Sequence, residues 1–222
     1  MVRAIDLTRT FGRDTRSVSA LVGATFEMYP GERLALIGPS GSGKSTLLHL
    51  VAGLDRPTSG SIEWPALGPP VHLRPGRVGV AFQGPSLVPA LTVLENVALP
   101  LLLMGRPESE ADAEAARLIA RFDLEDVAAK LPEELSGGQQ QRAAVARALA
   151  GEPALILADE PTGQQDRVTG QRVIDGLLAG AGESGAALVV ATHDGSVAGR
   201  MADRWMLRDG RLLTGERVAS SP

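Results

Sequence analysis

The chain has no cysteine among its 222 residues. Disulfides and thiolate metal sites are therefore excluded, which fits a reducing compartment. Aromatic residues make up only 3%, which argues against base-stacking platforms for single-stranded nucleic acid. Neither sign of charge is in marked excess. A net charge of −4 gives no electrostatic reason to expect nucleic-acid binding. Long apolar runs are missing as well. The best candidate, Val97 to Met104, stops at Gly105-Arg106, far short of the roughly 18 residues a membrane span needs. Any work at a membrane would need another chain to cross it. The opening residues Met1 to Asp6 reach an acid before an apolar stretch develops, so no secretory leader is read there. No internal repeat or low-complexity tract is evident, and the end is a short polar tail, Ser220-Ser221-Pro222. A chain with 44% hydrophobic and 22% charged residues suits one domain with a real core, possibly divided into subdomains.

The order of patterns is informative. Short β-like stretches over 2–7 and 17–28 flank turn residues at Gly12-Arg13-Asp14, and Arg33 to Ile37 reads as a buried strand feeding a glycine-rich loop. A helix is expected from Gly43 to Ala52, stopping at Gly53. Residues 60–64 and 78–82 read as strands, and the proline-rich 65–70 and 84–89 as loops. From Glu108 to Leu124 spaced apolar residues predict an amphipathic helix, with helical pattern again over 126–130 and 140–150. Alternation then returns: strand 154–158, helix 167–179, strand 186–191, helix 195–202 and final strands within 204–213. Such alternation implies an α/β fold around a mainly parallel sheet, and the helix-rich segment 90–150 interrupts it as a separate lobe.

Three motifs carry chemistry. In Gly38-Pro39-Ser40-Gly41-Ser42-Gly43-Lys44-Ser45 the glycines let backbone amides turn toward an anion, and the following helix points its N-terminus at the same place. Lys44 suits the β- and γ-phosphates and Ser45 suits Mg²⁺. In Leu155-Ile156-Leu157-Ala158-Asp159-Glu160 a buried strand would present two acids at its carboxyl end. Asp159 suits Mg²⁺ through its water shell, and Glu160 suits the proton of an attacking water. The competing reading, two acids capping the turn Pro161-Thr162-Gly163, weakens beside the phosphate loop. Leu135-Ser136-Gly137-Gly138-Gln139 opens a strong helix pattern. It forms an anion site without a lysine, or a plain helix cap. Gln83 and His193 each end a strand. Each has a functional reading, an amide for the Mg²⁺ shell and attacking water, and an imidazole donating to a γ-phosphate oxygen. Each also has a bland one, surface glutamine and structural histidine. His49 and His72 take the bland reading.

Together and in this order the motifs resemble the ATP-binding subunit of ATP-binding-cassette (ABC) machines. The resemblance runs the length of the chain. It implies a RecA-like phosphate-loop core with an antiparallel β-subdomain, within 1–89 and 151–222, and a helical subdomain over about 90–150. The implied nucleotide contacts are Phe11 and the loop Gly38 to Ser45 with Thr46. Lys44, Gln83, Glu160 and His193 are implied for catalysis, and Ser45, Gln83 and Asp159 for Mg²⁺. Leu135, Ser136, Gly137, Gly138 and Gln139 would contact the nucleotide of a second subunit, and Asp166 would be a dimer contact. The implied assembly is a homodimer or heterodimer of such ATPases, closing head-to-tail around two ATP molecules and driving a separate transmembrane permease from the inner, cytoplasmic face. Leu54 to Gly60, Leu91 to Val97, Leu99-Pro100-Leu101-Leu102 and Asp159 to Gly163 are similar to the lipoprotein-release and macrolide-export ATPases, whose partners often transmit force instead of carrying solute.

Two positions depart from the family pattern. The adenine-stacking aromatic, usually tyrosine, is here Phe11, which can stack but cannot hydrogen-bond, or can belong to the core. The usual Asn-Leu-Asp after the glycine is Gln164-Gln165-Asp166. Two other roles stay open: a regulatory ATPase that clamps a divisome-type membrane partner, and a soluble ABC ATPase with no transport role.

Overall fold

The computed structural model describes residues 1–12, 17–84, 86–163 and 165–213. Most of the expected 12–14 turn, Pro85 in the expected loop, Gln164 and the polar tail lie outside these. The elements run β1 (Val2–Phe11), β2 (Val18–Met28), β3 (Arg33–Ile37), α1 (Lys44–Val51), β4 (Ser59–Glu63), β5 (Val78–Ala81), α2 (Val93–Leu103), α3 (Glu108–Arg121) and α4 (Gly137–Leu149). They continue β6 (Leu155–Asp159), α5 (Arg167–Ser184), β7 (Ala187–Thr192), α6 (Gly195–Ala198), β8 (Asp203–Arg208) and β9 (Arg211–Leu213).

The strands form two sheets. One is antiparallel, in the order β2-β1-β4. The other runs β5-β6-β7-β3-β8-β9 and is parallel except for β9. Strands β6 and β7, Leu-Ile-Leu-Ala-Asp and Ala-Leu-Val-Val-Ala-Thr, are buried at every position. Near-continuous apolar runs are what a sheet covered on both faces demands. The period of two then divides the core. Leu34, Leu36, Leu155, Leu157 and Val189 face a cluster shared with α1 and the antiparallel sheet. Ala35, Ile156, Ala158, Leu188 and Val190 face a cluster shared with α2, α3, α4 and α5. The Trp64 indole, buried where β4 ends, donates to the Val51 carbonyl at 2.8 Å and ties the antiparallel sheet to the end of α1.

The expected α/β architecture holds, and the differences have local causes. Helix α2 is missing from the elements read out of the sequence, because Pro100 lies inside it and proline opposes a helix interior. A legible start signal exists in the Thr92–Glu95 capping box, and packing against α3 and α4 carries the helix through the proline. The helix expected at 126–130 is a single 3₁₀ turn, Glu125–Val127. Helix α5 continues to Ser184 and stops at Gly185 in the left-handed conformation. Helix α6 ends at Ala198, before Gly199, a poor helix former.

One buried side chain organises the segment after β5. Asn96 on α2 is wholly buried. Its amide nitrogen donates to the carbonyls of Val88, Leu91 and Thr92, and its oxygen accepts from the Val88 N–H at 2.7 Å. Arg147 on α4 donates to the same oxygen at 3.3 Å and to the Ser86 carbonyl at 2.8 Å. Helices α2 and α4 thereby hold the 86–92 backbone from both sides. Asn96→Leu keeps the branching at Cγ, adds bulk and strands these groups, so it should destabilise the chain by about 2–4 kcal/mol. Denaturant unfolding measures this, and a midpoint equal to wild type would remove the network from any holding role.

Candidate active site

The carboxyl ends of β3, β5, β6 and β7 open onto one cleft of about 480 Å³. Ligands collect at this end of open parallel sheets because loops and helix N-termini converge there. The loop after β3 is pressed between two strands. Gly43 has φ +104°, and a Cβ on it would stand 2.1 Å from the Ala20 carbonyl oxygen of β2. A Cβ on Gly38 would stand 2.2 Å from the Leu207 carbonyl oxygen of β8. Any other residue at either position would lift the loop off its support. Helix α1 begins at Lys44 with no side-chain cap and no acid in its first turn, so its free N–H groups meet the cleft unopposed. Lys44 Nζ curls over the loop and donates to the carbonyls of Gly38 at 2.9 Å and Pro39 at 3.1 Å.

Two buried acids face this positive wall. Asp159 ends β6, and Glu160 follows with φ +47°. That conformation is uncommon outside glycine, and such strain clusters at functional sites. The Glu160 N–H donates to the Ala191 carbonyl at 2.9 Å, which pins the strained residue to β7. Its carboxylate stands 3.8 Å from Lys44 Nζ, and its two oxygens lie 3.0 and 2.9 Å from His193 Nδ1. Lys44 and Glu160 are buried, whereas 73% of the His193 side chain is exposed, which puts the imidazole on the outer rim. With Nδ1–H donating to Glu160, a neutral ring leaves Nε2 as an acceptor. Donation from Nε2 to an anion then requires the cationic ring or a broken contact with Glu160.

Asp159 is the electrostatic outlier. Burial pushes its carboxyl above the ordinary value of 3.8, and the charge of Glu160 adds to this. The Ser45 hydroxyl hydrogen bond and the charges of His49 and Lys44 act the other way. Its Oδ1 is buried without a hydrogen-bond partner. An orphaned carboxylate oxygen beside a serine hydroxyl fits a hard divalent cation. Among the described residues no group of three or more His, Asp or Glu side chains could hold a metal ion. A cation here would therefore take hydroxyl, carboxyl and phosphate oxygens, the ligand set Mg²⁺ favours.

Ser40, Gly41, Gly43, Lys44, Ser45, Thr46, Gln83, Asp159, Glu160 and His193 all line the cleft. The expected Leu135 to Gln139 motif does not. Ser136 caps α4, accepting from the Gln139 N–H at 3.3 Å, while the Gln139 side chain accepts from the Ser136 N–H at 2.8 Å. Ser136 and Gly137 are exposed. Asp166 caps α5 through the N–H groups of Val168 and Thr169. The amide of Gln165 is buried with neither end partnered, where the family pattern has a leucine. Phe11 lies outside the cleft wall, 43% exposed at the end of β1. Ala20, which lines the cleft from β2, carried no sequence signal. Gln141 did not stand out either; it donates from α4 to the Phe82 carbonyl at 3.2 Å, beside Gln83.

Comparison with known proteins shows the family. The profile of the family described as ABC transporter matches residues 21–163. The lipoprotein-releasing system ATP-binding protein LolD of Legionella pneumophila (strain Paris) is 41% identical over 217 residues, 95% of this chain and 96% of that protein. An uncharacterized ABC transporter ATP-binding protein of Thermotoga maritima is 41% identical over 98% of this chain and 95% of its own. Among solved structures, the dimeric form of MJ0796, a bacterial ABC transporter cassette, superposes with a TM-score of 0.93 at 36% identity, covering both chains completely. The same cassette as a post-hydrolysis dimer bound to ADP and Pi gives 0.92. The chain belongs to the ABC transporter ATP-binding family and is an ATPase of that class.

The raised carboxyl of Asp159 has a stability consequence. The native state holds this proton more tightly than the unfolded chain does, so stability falls as pH rises from the ordinary value of 3.8 through the raised one. Asp159→Asn removes the titration. Without nucleotide, the variant should gain thermal stability relative to wild type on going from about pH 4 to about pH 7. A melting-temperature difference that stays constant with pH would show that Asp159 titrates normally.

Proposed function

We propose that two such cassettes, two copies of this chain or this chain and another ABC ATPase, close head-to-tail around two ATP molecules. In each site the phosphate loop of one subunit faces Leu135 to Gln139 of the other. The carrying observation is the contrast between a complete cleft for phosphates and acid chemistry and a capped, exposed helix start that has no part in that cleft. A helix N-terminus with serine and glycine amides binds anions, and a second subunit is where it finds one. Residues 1–89 and 151–222 hold the nucleotide, and about 90–150 carry the motif that reads it from the partner.

ATP lies with its phosphates on the loop amides, Lys44, Ser45 and Thr46, and its base toward Phe11. Lys44 exchanges the loop carbonyls for β- and γ-phosphate oxygens. Mg²⁺, when bound, neutralises phosphate charge, and Ser45, Gln83 and Asp159 would hold it. Glu160 accepts a proton from the attacking water as its oxygen bonds to the γ-phosphorus and the bond to the β–γ bridging oxygen breaks, leaving ADP and phosphate. His193 holds the Glu160 carboxylate from the rim, and as a cationic ring or on leaving Glu160 it donates to the γ-phosphate and senses it.

The motion is delivered to a separate membrane partner of the lipoprotein-release or export type, so the cassette is peripheral on the inner face of the membrane. Two observations support this. Among the described residues no helix is long and apolar enough to cross a membrane. An apolar groove of about 360 Å³ is lined in part by Leu54, Phe82, Leu99, Pro100 and Leu103, the second of which directly precedes Gln83. The names of the relatives point the same way.

Glu160→Gln should retain ATP binding, lose at least about 100-fold in turnover and run as a dimer on sizing with Mg·ATP. Turnover like wild type would remove Glu160 from the base role. Lys44→Ala should abolish ATP binding, and unchanged affinity would refute the phosphate-loop assignment. Tagged Glu160→Gln protein captured from native membranes with Mg·ATP should bring a multi-span membrane protein; soluble partners alone would overturn the membrane reading.

A further inference from the structure

Phe11 lacks the hydroxyl that would anchor a tyrosine ring, and something else holds it. Arg9 is two residues earlier on β1, and its guanidinium carbon stands 4.3 Å from the Phe11 ring centroid. A cation at that distance covers one face of an aromatic ring and is attracted by it. The guanidinium is itself fixed, since Arg9 Nε donates to Asp55 Oδ2 at 2.7 Å and both side chains are about three-quarters buried. The other carboxylate oxygen of Asp55 accepts from the Arg56 N–H at 2.7 Å. Burial raises the Asp55 carboxyl, but the hydrogen bonds from Arg9 and Arg56 outweigh it and hold the group below the ordinary carboxylate value.

Asp55 is not a free surface acid. The N–H groups of Leu54 and Asp55 both donate to the His49 carbonyl, which fastens Asp55 to the last turn of α1. The first residue of that helix is Lys44. One short helix therefore joins the phosphate cradle at its start to the anchor of Arg9 at its end. The β1 backbone is held from the same loop, because the Thr10 N–H donates to Thr58 Oγ1 at 3.0 Å and the Thr58 N–H to the Thr8 carbonyl at 2.8 Å. Phe11 pairs with the exposed Val18 of β2, two residues from Ala20 on the cleft wall. The ring thus carries Arg9 on one side, and Phe11 remains 43% exposed, beside the strand that leads into the cleft.

We infer that Arg9, anchored by Asp55, is a positioning residue that sets the Phe11 ring as the platform for the nucleobase at a fixed offset from the phosphate loop. This rests on the reading of Phe11 as the base contact. It assigns a role to an arginine and an aspartate outside the phosphate, metal and hydrolysis sites, and it accounts for how a phenylalanine serves without a hydroxyl.

The test compares calorimetric binding of ATP and of inorganic tripolyphosphate, each with Mg²⁺, to the full chain. Tripolyphosphate engages the loop but has no base. Arg9→Gln should weaken ATP binding about three- to tenfold, the scale of a partly desolvated cation–π contact, and leave tripolyphosphate within about twofold. The KM for ATP should rise while kcat at saturation stays unchanged. Asp55→Asn should act in the same direction, and Arg9→Lys should restore part of the loss. Unchanged tripolyphosphate binding reports that each variant is folded. Equal losses for both ligands would make Arg9 merely structural, and no loss for ATP would make it idle; either overturns the inference. Phe11→Ala separates the two levels. If it lowers ATP binding selectively while Arg9→Gln does not, only the role of Arg9 fails. If Phe11→Ala leaves the ratio of the two ligands unchanged, the base-platform reading falls and takes the inference with it.

Discussion

A positive wall and a negative wall, both buried, face each other across the mouth of the parallel sheet. The first is Lys44 with the uncapped start of α1, and the second is Asp159 with Glu160. Lys44 stands 3.8 Å from Glu160 and bonds loop carbonyls, and one oxygen of Asp159 has no partner. Buried charges this incompletely matched cost stability, and they persist because the surroundings hold them. The loop rests on the carbonyls of Ala20 and Leu207 through positions where a Cβ does not fit, and Glu160 is tied to β7 through its own N–H. The phosphate chain of a nucleoside triphosphate answers the positive wall, and the unpartnered oxygen of Asp159 fits a hard divalent cation.

The rest of the chain supports that opposition at two distances. Nearby, the rows of the parallel sheet set the acids beside the loop, since Asp159 pairs with Ala191 and Ile37 with Thr192. Farther off, Asn96, Gln141 and Arg147 fasten the backbone after β5 to α2 and α4. The helix that starts at the Ser136 cap thus also grips the segment that begins at Gln83. These hydrogen bonds are part-buried, and breaking one leaves a polar group short of a partner.

Much of the site was legible because its chemistry needs particular residues at short spacing. The glycines, lysine and serine of 38–45 and the acids at 159–160 announce themselves through backbone geometry and charge. The parallel sheet was legible because β6 and β7 are apolar without interruption. Helix α2 was obscured by Pro100, and only its capping box betrayed it. Arg9 and Asp55 were obscured for another reason, since an arginine and an aspartate 46 residues apart carry no local pattern.

What the sequence determined by itself is therefore the α/β class, the glycine-rich loop and the candidate acids that face it, because these depend on local conformation and on period. The tertiary structure alone decided which groups share the cleft and which stand apart. Gln83, Glu160 and His193 meet there because parallel strands end side by side, while Leu135 to Gln139 caps a helix outside it. It also decided that His193 leans on Glu160 and that Phe11 leans on Arg9. Contacts between residues far apart in the chain depend on how the sheets and helices pack, and nothing in the spacing of residues encodes that distance.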